Sequence, residues 1–394
     1  VTADPRDFED RWRTGLPPVR IAGVRVRVAV GMSGGVDSAV TAMLLTQAGY
    51  EVEGITLRLW ADDDRRDKRW QERTCCKIGL ARYVADRLGI PHRVIEAESP
   101  FRKAVVDEFV SDYREGRTPN PCVRCNERVK FRLLLEAAVE SGADYLATGH
   151  YVRRAYKETA GTHLLRRALD ERKDQSYFLY RLPAEAIERT LFPLGAVYKQ
   201  EVWRCIEPLG LPAEELHESQ EVCFVTQGNY RDFIREQSAA AARPGPIVDE
   251  EGRRLGEHEG VAFYTVGQRR GLGVSGGERL YVIGLEPRTD TVVMGHEEAL
   301  YRRDCVAEDL RLLEGPITRP REVWAKIRYR TPAAQAVIEP VGEDRLAIRF
   351  DEPQRAITPG QSVVFYEGDW LIGGGVIANH GGPTDPVDTG GSAW

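Results

Sequence analysis

Several features are missing from this 394-residue chain, and each absence narrows what it can be. No uninterrupted apolar run approaches the roughly 20 residues that cross a bilayer, and residues 1–20 are too charged for the core of a signal peptide. The expectation is a cytoplasmic protein with no membrane attachment. Neither sign of charge dominates: a net charge of -6 and a pI near 5.8 exclude a protein that coats nucleic acid indiscriminately, while leaving local basic faces open. The seven cysteines are an odd number, grouped as Cys75-Cys76 and Cys122-x-x-Cys125 with Cys205, Cys223 and Cys305 apart, which is not a secreted disulfide framework. Reactive or metal-binding thiols are expected instead. Internal repeats are absent as well, and with 42% hydrophobic residues over 394 positions the chain should fold as two or three ordinary globular domains.

The most informative stretch is residues 24–40. Val24, Val26, Val28 and Val30 alternate as in a strand, Gly31, Gly34 and Gly35 interrupt them, and residues 37–45 resume at helical spacing. A strand, a glycine loop and a helix leave backbone N–H groups unpaired at a helix N-terminus, where Ser33 and Ser38 add hydroxyls, so phosphate oxygens can settle there. A Walker A loop would end in Gly-Lys-Ser/Thr, but here the corresponding residues are Val36-Asp37-Ser38, with no lysine to reach a β- or γ-phosphate. A carboxylate in that place suits Mg2+ bridging to phosphates, with Asp37 as its ligand. Residues Ser33 to Ser38 resemble the SGGxDS signature of ATP pyrophosphatases, which cleave ATP between its α- and β-phosphates and leave AMP on a substrate oxygen.

Around this loop the order is βαβαβ. Strands are expected at 50–59 and 92–95, helices at 76–88, 101–114 and 129–141, and a short buried strand at 142–147 that runs into Thr148-Gly149-His150-Tyr151. Residues 1–22 read as a loosely attached extension, residues 61–73 as a charged surface loop beside Trp60 and Trp70, and the prolines within 116–126 as a bar to regular structure. Ligands of open α/β sheets bind at the carboxyl ends of strands, so Ser33, Leu57 and the Gly149-His150 pair should converge on one ligand. Further on, 178–188, 199–209 and 230–241 are helical stretches, and alternating strands at 322–329, 334–340, 345–350, 362–367 and 370–377 indicate a β-barrel. The predicted class is α/β: an N-terminal doubly wound parallel-sheet ATP pyrophosphatase domain (23–225), a small central α+β domain (226–303) and a C-terminal antiparallel β-barrel (304–380), with a flexible tail at 381–394. Arg153-Arg154, Arg166-Arg167, Arg269-Arg270 and Arg302-Arg303 are the best candidates for a basic surface, and Cys205 and Cys305 read as core.

By spacing, Cys122-x-x-Cys125 fits a redox disulfide, half a zinc site or part of an iron-sulfur site, with no second C-x-x-C or H-x-x-x-H to complete a zinc set. A detailed resemblance goes further. Residues 31–38, Thr118-Pro-Asn-Pro-x-x-x-Cys125-Asn126, Ala147-Thr-Gly-His-Tyr151, Lys173-Asp-Gln-Ser-Tyr-Phe-Leu179, Ser219-Gln-Glu-Val-Cys-Phe224, Tyr264-Thr-Val-Gly-Gln-Arg-Arg-Gly271, Lys326-Ile-Arg-Tyr-Arg330 and Pro359-Gly-Gln361 resemble, in order, the motifs of the tRNA-specific 2-thiouridylases. The resemblance implies an ATP-dependent, AMP-forming sulfurtransferase that replaces the C2 oxygen of the wobble uridine by sulfur. It assigns ATP to Gly31, Met32, Ser33, Gly34, Gly35, Val36, Asp37, Ser38, Leu57 and Gly149, and the target base to Asn120, Pro121 and Cys122. Cys125 would be the nucleophile and Cys223 the persulfide carrier, loaded by a sulfur-donor protein such as a persulfide carrier or a cysteine desulfurase. His150, Lys173, Asp174, Gln175, Arg328, Tyr329 and Gln361 would contact the anticodon arm of tRNA.

One departure matters: much of that family has aspartate where this chain has Cys122. Cys122, Cys125 and Cys223 together could therefore ligate a 4Fe-4S cluster with one iron free to carry sulfide, and the persulfide and cluster routes both stand at this level. The rival enzyme class is an amide-forming ligase that uses the same loop on a small molecule and needs none of these cysteines.

Overall fold

A computed structural model describes residues 5–60, 77–206, 210, 222–225, 229–271, 279–342 and 344–379. Expectations for Cys75-Cys76, for the charged loop at 61–73 with Trp70, for Ser219 to Glu221 and for the 381–394 tail fall outside them. The chain divides into two compact units, one of Val1–Ala104, Cys122–Thr226 and Asp369–Leu371, the other of Val105–Pro121, Gln227–Gly368 and Ile372–Trp394.

The first unit is built on a parallel sheet. Strands β1 (Arg27–Gly31), β2 (Glu51–Arg58), β3 (His92–Glu96) and β4 (Tyr145–Thr148) are followed by an antiparallel hairpin, β5 (Arg153–Lys157) and β6 (Thr162–Arg166), and by the short strand β7 (Thr190–Leu191). The sheet order is β3-β2-β1-β4-β7, so the chain moves outward from β1 to β3 and then crosses to the other side of β1. That reversal lies between β1 and β4, paired in register from Val28 with Tyr145 to Gly31 with Thr148. Val28, Val30, Val40, Leu44, Leu45 and Leu194 form a core with at most 2% exposure each.

Three local expectations are corrected here. The first strand begins at Arg27; Val24 is 70% exposed and belongs to a two-residue ribbon, Arg20–Ile21 with Val24–Arg25, because alternation alone cannot tell a ribbon from the strand it leads into. The N-terminal residues are not loosely attached. Helix α1 (Pro5–Trp12) buries Trp12 to 1% exposure in the core, Phe8, Leu16 and Val19 pack behind it, and the Tyr50 hydroxyl donates to the Pro17 carbonyl. The apolar residues at 8, 12, 16 and 19 follow helical spacing and outweigh the surrounding charges. Trp12→Ala is expected to cost about 3 to 5 kcal/mol in urea unfolding; a cost near zero would mean that α1 does not belong to the cooperative core.

The prolines, finally, do not prevent regular structure. Helix α2 (Val36–Ala48) and α3 (Ile78–Leu88) precede α4 (Asp107–Arg114), and then Pro121 opens α5 (Pro121–Cys125), which continues through a wider turn at Asn126–Lys130 into α6 (Phe131–Glu140). A proline in the first helical turn loses no hydrogen bond because its N–H would have had no partner there. Helix α7 (Lys199–Ile206) lies further along in the first unit, and α4 belongs to the second. Two of the arginine pairs offered as a basic surface are bound internally: Arg153 and Arg166 reach Asp369, Arg153 also donates to the Arg167 carbonyl, and Arg154 donates to Glu188 and Gly15 carbonyls. Doublets of arginine on a hairpin look alike in sequence whether they face solvent or brace a turn.

The second unit holds α4 and α8 (Tyr230–Gln237) and two β assemblies. Asn229 and Asp232 cap α8 reciprocally, and the helix ends at Gln237, four residues before the expected end at 241, because the extended backbone of Ser238 separates it from a 3-10 turn at Ala239–Ala241. Phe109 and Tyr113 of α4 pack on Phe233 and Tyr230 of α8, with ring centroids 6.2 and 4.8 Å apart. A four-stranded sheet has the order β9-β8-β11-β10, from β8 (Gly245–Val248), β9 (Arg254–His258), β10 (Tyr281–Glu286) and β11 (Thr291–Gly295). The last six strands, β12 (Tyr301–Leu312), β13 (Arg321–Lys326), β14 (Ala334–Pro340), β15 (Leu346–Arg355), β16 (Ser362–Glu367) and β17 (Trp370–Ile377), run β12-β15-β14-β13-β16-β17 and close through β12 with β17 into the expected antiparallel barrel. Cys305, fully buried in β12, is core as expected, and burial pushes its thiol far above the ordinary range. Cys205 packs half-buried against the core of the first unit.

Candidate functional site

The glycine loop leaves the carboxyl end of β1 beside the carboxyl end of β4, at the reversal of strand order where ligands of open α/β sheets bind. Its shape is held by its own serines. The Ser33 N–H donates to Ser38 Oγ at 3.2 Å, the Gly35 N–H donates to Ser33 Oγ at 3.3 Å, and Ser38 Oγ donates to the Gly35 carbonyl at 3.0 Å. Gly34 has φ +78°, a left-handed conformation, and a side chain there would run into the Lys77 carbonyl, since the Lys77 N–H closes onto the Ser33 carbonyl at 2.8 Å. Ser33 itself is exposed and Asp37 partly so, while Met32, Val36 and Ser38 are buried. The first turn of α2, Val36 to Ser38, carries backbone N–H groups that have no intrahelical partner by position, and Ser33 stands exposed before it, the arrangement of anion-binding loops.

Behind the loop, the Thr56 hydroxyl donates to the Met32 carbonyl at 2.6 Å and meets His92 Nε2 at 2.8 Å. Burial, with Arg82 adding to it, keeps the His92 imidazole below its usual pKa, and because the Thr56 hydrogen goes to the Met32 carbonyl, Nε2 is the donor to Thr56. Leu57, near the carboxyl end of β2, is 4% exposed. Gly149 lies against the start of α2 so closely that a Cβ on it would stand 2.7 Å from the Asp37 carbonyl carbon and 2.8 Å from the Ser38 nitrogen. The two loops the sequence expected to converge do meet.

Asp37 gathers two groups that sequence reasoning missed. Lys199 Nζ lies 2.6 Å from Asp37 Oδ1, and the Tyr151 hydroxyl donates to the same oxygen at 2.9 Å. Oδ2 accepts no hydrogen bond among the described residues, and a carboxylate oxygen is the type of ligand a hard cation takes. Tyr151 stood in a recognised motif without a role; Lys199, at the first position of α7 and 162 residues from Asp37, carries no periodic signal that singles it out. His150 is half-buried, with Nδ1 3.0 Å from Thr148 Oγ1 and its ring over Phe131.

The thiols sit on the helix that Pro121 opens. Cys122 is exposed and Cys125 buried. The next residue, Asn126, donates to the Phe178 carbonyl at 3.2 Å, and Glu127 pairs with Arg181 at 2.8 Å and with Arg124 at 3.2 Å, so α5 is moored to the Lys173 to Arg181 segment. That segment is a built turn. Asp174 is buried and accepts from the Ala168 and Ser176 N–H groups and the Ser176 hydroxyl, and Gln175 Oε1 accepts from the Tyr151 N–H, while Lys173 is half-exposed. Cys223 is half-buried next to Phe224, whose ring packs on Trp60 and Phe101 at 6.4 and 5.6 Å. Among the described residues no group of three or more His, Cys, Asp or Glu side chains is placed to hold a metal ion, so Cys122, Cys125 and Cys223 are not assembled here as a cluster-ligating set.

In the second unit two distant motifs meet. The Gln361 amide donates to the Thr118 and Pro119 carbonyls at 2.8 and 3.1 Å, and the Thr118 N–H donates to the Pro359 carbonyl, which fixes the strand of chain leading to Asn120 and Pro121. Arg328 donates to Thr358 Oγ1 and the Ala356 carbonyl at 2.5 and 2.8 Å, and Lys326 Nζ lies over the Tyr329 ring.

Comparison with known proteins accounts for these features together. Three family models match in succession: the tRNA methyl transferase HUP domain over residues 26–227, the tRNA methyl transferase PRC-barrel domain over 231–296 and the aminomethyltransferase beta-barrel domain over 302–377. The tRNA-specific 2-thiouridylase MnmA of Pelotomaculum thermopropionicum is 47% identical over 361 residues, 91% of this chain and 98% of that protein. That of Moorella thermoacetica is 47% identical over 352 residues, 88% of this chain and 98% of its own length. Among the described residues no helix is long and apolar enough to cross a membrane. With its phosphate loop, its moored thiol helix and near end-to-end similarity to these relatives, the chain belongs to the tRNA-specific 2-thiouridylase family.

Proposed function

We propose that this protein adenylates the C2 oxygen of the wobble uridine of tRNA with ATP and replaces that oxygen by sulfur, giving 2-thiouridine, AMP and pyrophosphate. The observation that carries this reading is the SGGVDS loop at the β1–β4 reversal, in the same unit as the moored helix of Cys122 and Cys125. A carbonyl oxygen of a pyrimidine is not a leaving group. Attack by that oxygen on the α-phosphorus breaks the α–β bond, releases pyrophosphate and leaves the oxygen as part of AMP, which departs readily. Gly31 to Ser38 and Gly149 cradle the nucleotide, with Leu57 beside it, and the Asp37 carboxylate would hold Mg2+, which would supply charge neutralisation on the polyphosphate.

Sulfur arrives as a persulfide on Cys223, handed over by a donor protein. Its terminal sulfur attacks C2 and AMP leaves with the former C2 oxygen. The Cys125 thiolate then attacks the Cys223 sulfur, which frees the new C2–S bond from the enzyme and joins the two cysteines as a disulfide that a cellular dithiol reduces. Asn120, Pro121 and Cys122 border the target base, and His150, Lys173, Asp174, Gln175, Arg328, Tyr329 and Gln361 belong to the surface that grips the anticodon arm, with Asp174 and Gln175 acting through the turn they hold. Divisions near residues 225 and 303 separate the catalytic, central and barrel domains, and the reaction takes place in the cytoplasm. Methyl transfer, the term in two of the matching descriptions, would need neither the loop nor the thiols.

The sulfur route is tested by anaerobic purification with iron and acid-labile sulfide analysis, alongside a Cys122→Asp variant. The persulfide route predicts no bound iron and a variant that still thiolates tRNA. About four irons per chain, lost together with activity in the variant, would assign the sulfur to a 4Fe-4S cluster instead.

A further inference from the structure

We infer that Lys199 supplies the cation that the glycine loop itself lacks, and that its ammonium meets the pyrophosphate half of the bound nucleotide. The inference rests on the ATP-dependent reading above and extends it to a residue outside the loop. Three observations converge. The loop has Val36-Asp37-Ser38 where a Walker loop carries its lysine, so no cation comes from the loop itself. Lys199 is 6% exposed, and an ammonium so deeply buried is costly unless anions answer it. Its Nζ stands 2.6 Å from Asp37 at the first turn of α2, the point to which the loop's N–H groups direct phosphate oxygens, and it is 5.7 and 5.3 Å from the Tyr151 and Trp203 rings, which favour a cation there.

The position of the lysine is itself built. Asp170 Oδ2 accepts from the Lys199 backbone N–H at 3.0 Å, and Glu201 accepts from the Tyr198 N–H at 2.8 Å, so the start of α7 is capped and Lys199 is aimed by the helix rather than by a mobile loop. When the α–β bond breaks, negative charge grows on the oxygen that leaves with pyrophosphate, and a fixed ammonium beside it stabilises that charge more than it stabilises intact ATP. In this arrangement Asp37 holds the ammonium in place until the polyphosphate arrives.

A residue that merely ties α7 to α2 would affect every ligand of the site alike, whereas a pyrophosphate-binding cation would not affect AMP. The test is calorimetric titration of wild type, Lys199→Met and Lys199→Gln with α,β-methylene-ATP, with pyrophosphate and with AMP, together with tRNA-dependent pyrophosphate release. Both variants should bind the ATP analogue and pyrophosphate at least ~10-fold more weakly, with AMP affinity unchanged, and release pyrophosphate roughly 100-fold more slowly at saturating ATP. Lys199→Arg should recover part of the pyrophosphate affinity. Lys199→Gln is one bond shorter but keeps an uncharged N–H donor directed at Asp37, so it decides the matter if Lys199→Met does not fold. Unchanged affinity for the analogue and pyrophosphate, or an equal loss for AMP, would overturn the inference. A wild-type protein that binds none of the three would instead contradict the ATP-dependent reading.

Discussion

Cys125→Ser is expected to lower 2-thiouridine formation by about a thousand-fold or more, because a serine hydroxyl at neutral pH does not attack the Cys223 sulfur to free the thiolated uridine. The fold should not change. Serine is slightly smaller than cysteine, the site is buried, and the contacts that moor the helix, Asn126 to Phe178 and Glu127 to Arg181, belong to other residues. Binding of ATP should also be retained, because the hydrogen bonds that shape the loop and hold Asp37 among the described residues come from Ser33, Gly35, Ser38, Tyr151 and Lys199. The expected outcome is therefore a split: nucleotide affinity and melting temperature near those of wild type, with thiolation lost. Mass spectrometry of digested tRNA reads the thiolation. An amide-forming ligase built on the same loop would keep its turnover in this variant, so a fully active Cys125→Ser protein would remove the cysteine chemistry from the account.

Gly149→Ala should be nearly as damaging, by a different route. Its Cβ would stand 2.7 and 2.8 Å from the backbone atoms of Asp37 and Ser38, and neither can swing aside as a side chain does. Either the N-terminus of α2 or the end of β4 must move by several tenths of an ångström. Because those atoms shape the phosphate site, ATP affinity should fall roughly 100-fold, with about 1 to 3 kcal/mol of lost stability from overpacking. Titration with an ATP analogue and urea unfolding measure the two effects. A variant with unchanged affinity would mean that Gly149 and the loop do not form one nucleotide site.

Much of this arrangement could be read from the sequence because it is local. Strand, glycine loop and helix around Ser33 follow from alternation, punctuation and helical spacing within seventeen residues, 24–40, and the barrel strands Ala334–Pro340, Ser362–Glu367 and Trp370–Ile377 begin and end where alternation predicts. The rule for open sheets also brought Ser33 and Gly149 together, since it needs only strand order. What sequence did not reveal depends on partners far along the chain. Lys199 reaches Asp37 across 162 residues, and Arg181 is one ordinary arginine until Glu127 is seen beside it. Gln361, expected to contact tRNA, also holds the Thr118 and Pro119 carbonyls 243 and 242 residues away. Asp174 looked like an exposed polar residue in a polar motif, yet its carboxylate turns inward onto two backbone N–H groups. Trp12 was overlooked for a compositional reason: a helix crowded with charge can still bury one apolar edge.

The central claim is that AMP leaves with the oxygen that uridine loses. It is tested most directly with tRNA carrying 18O at C2 of the wobble uridine, incubated with the protein, ATP, Mg2+ and a persulfide source. The account predicts one 18O in each AMP for every 2-thiouridine formed, with unlabelled pyrophosphate. Thiolated tRNA accompanied by unlabelled AMP would contradict it, because the oxygen would then have departed by a path that never joined the α-phosphate.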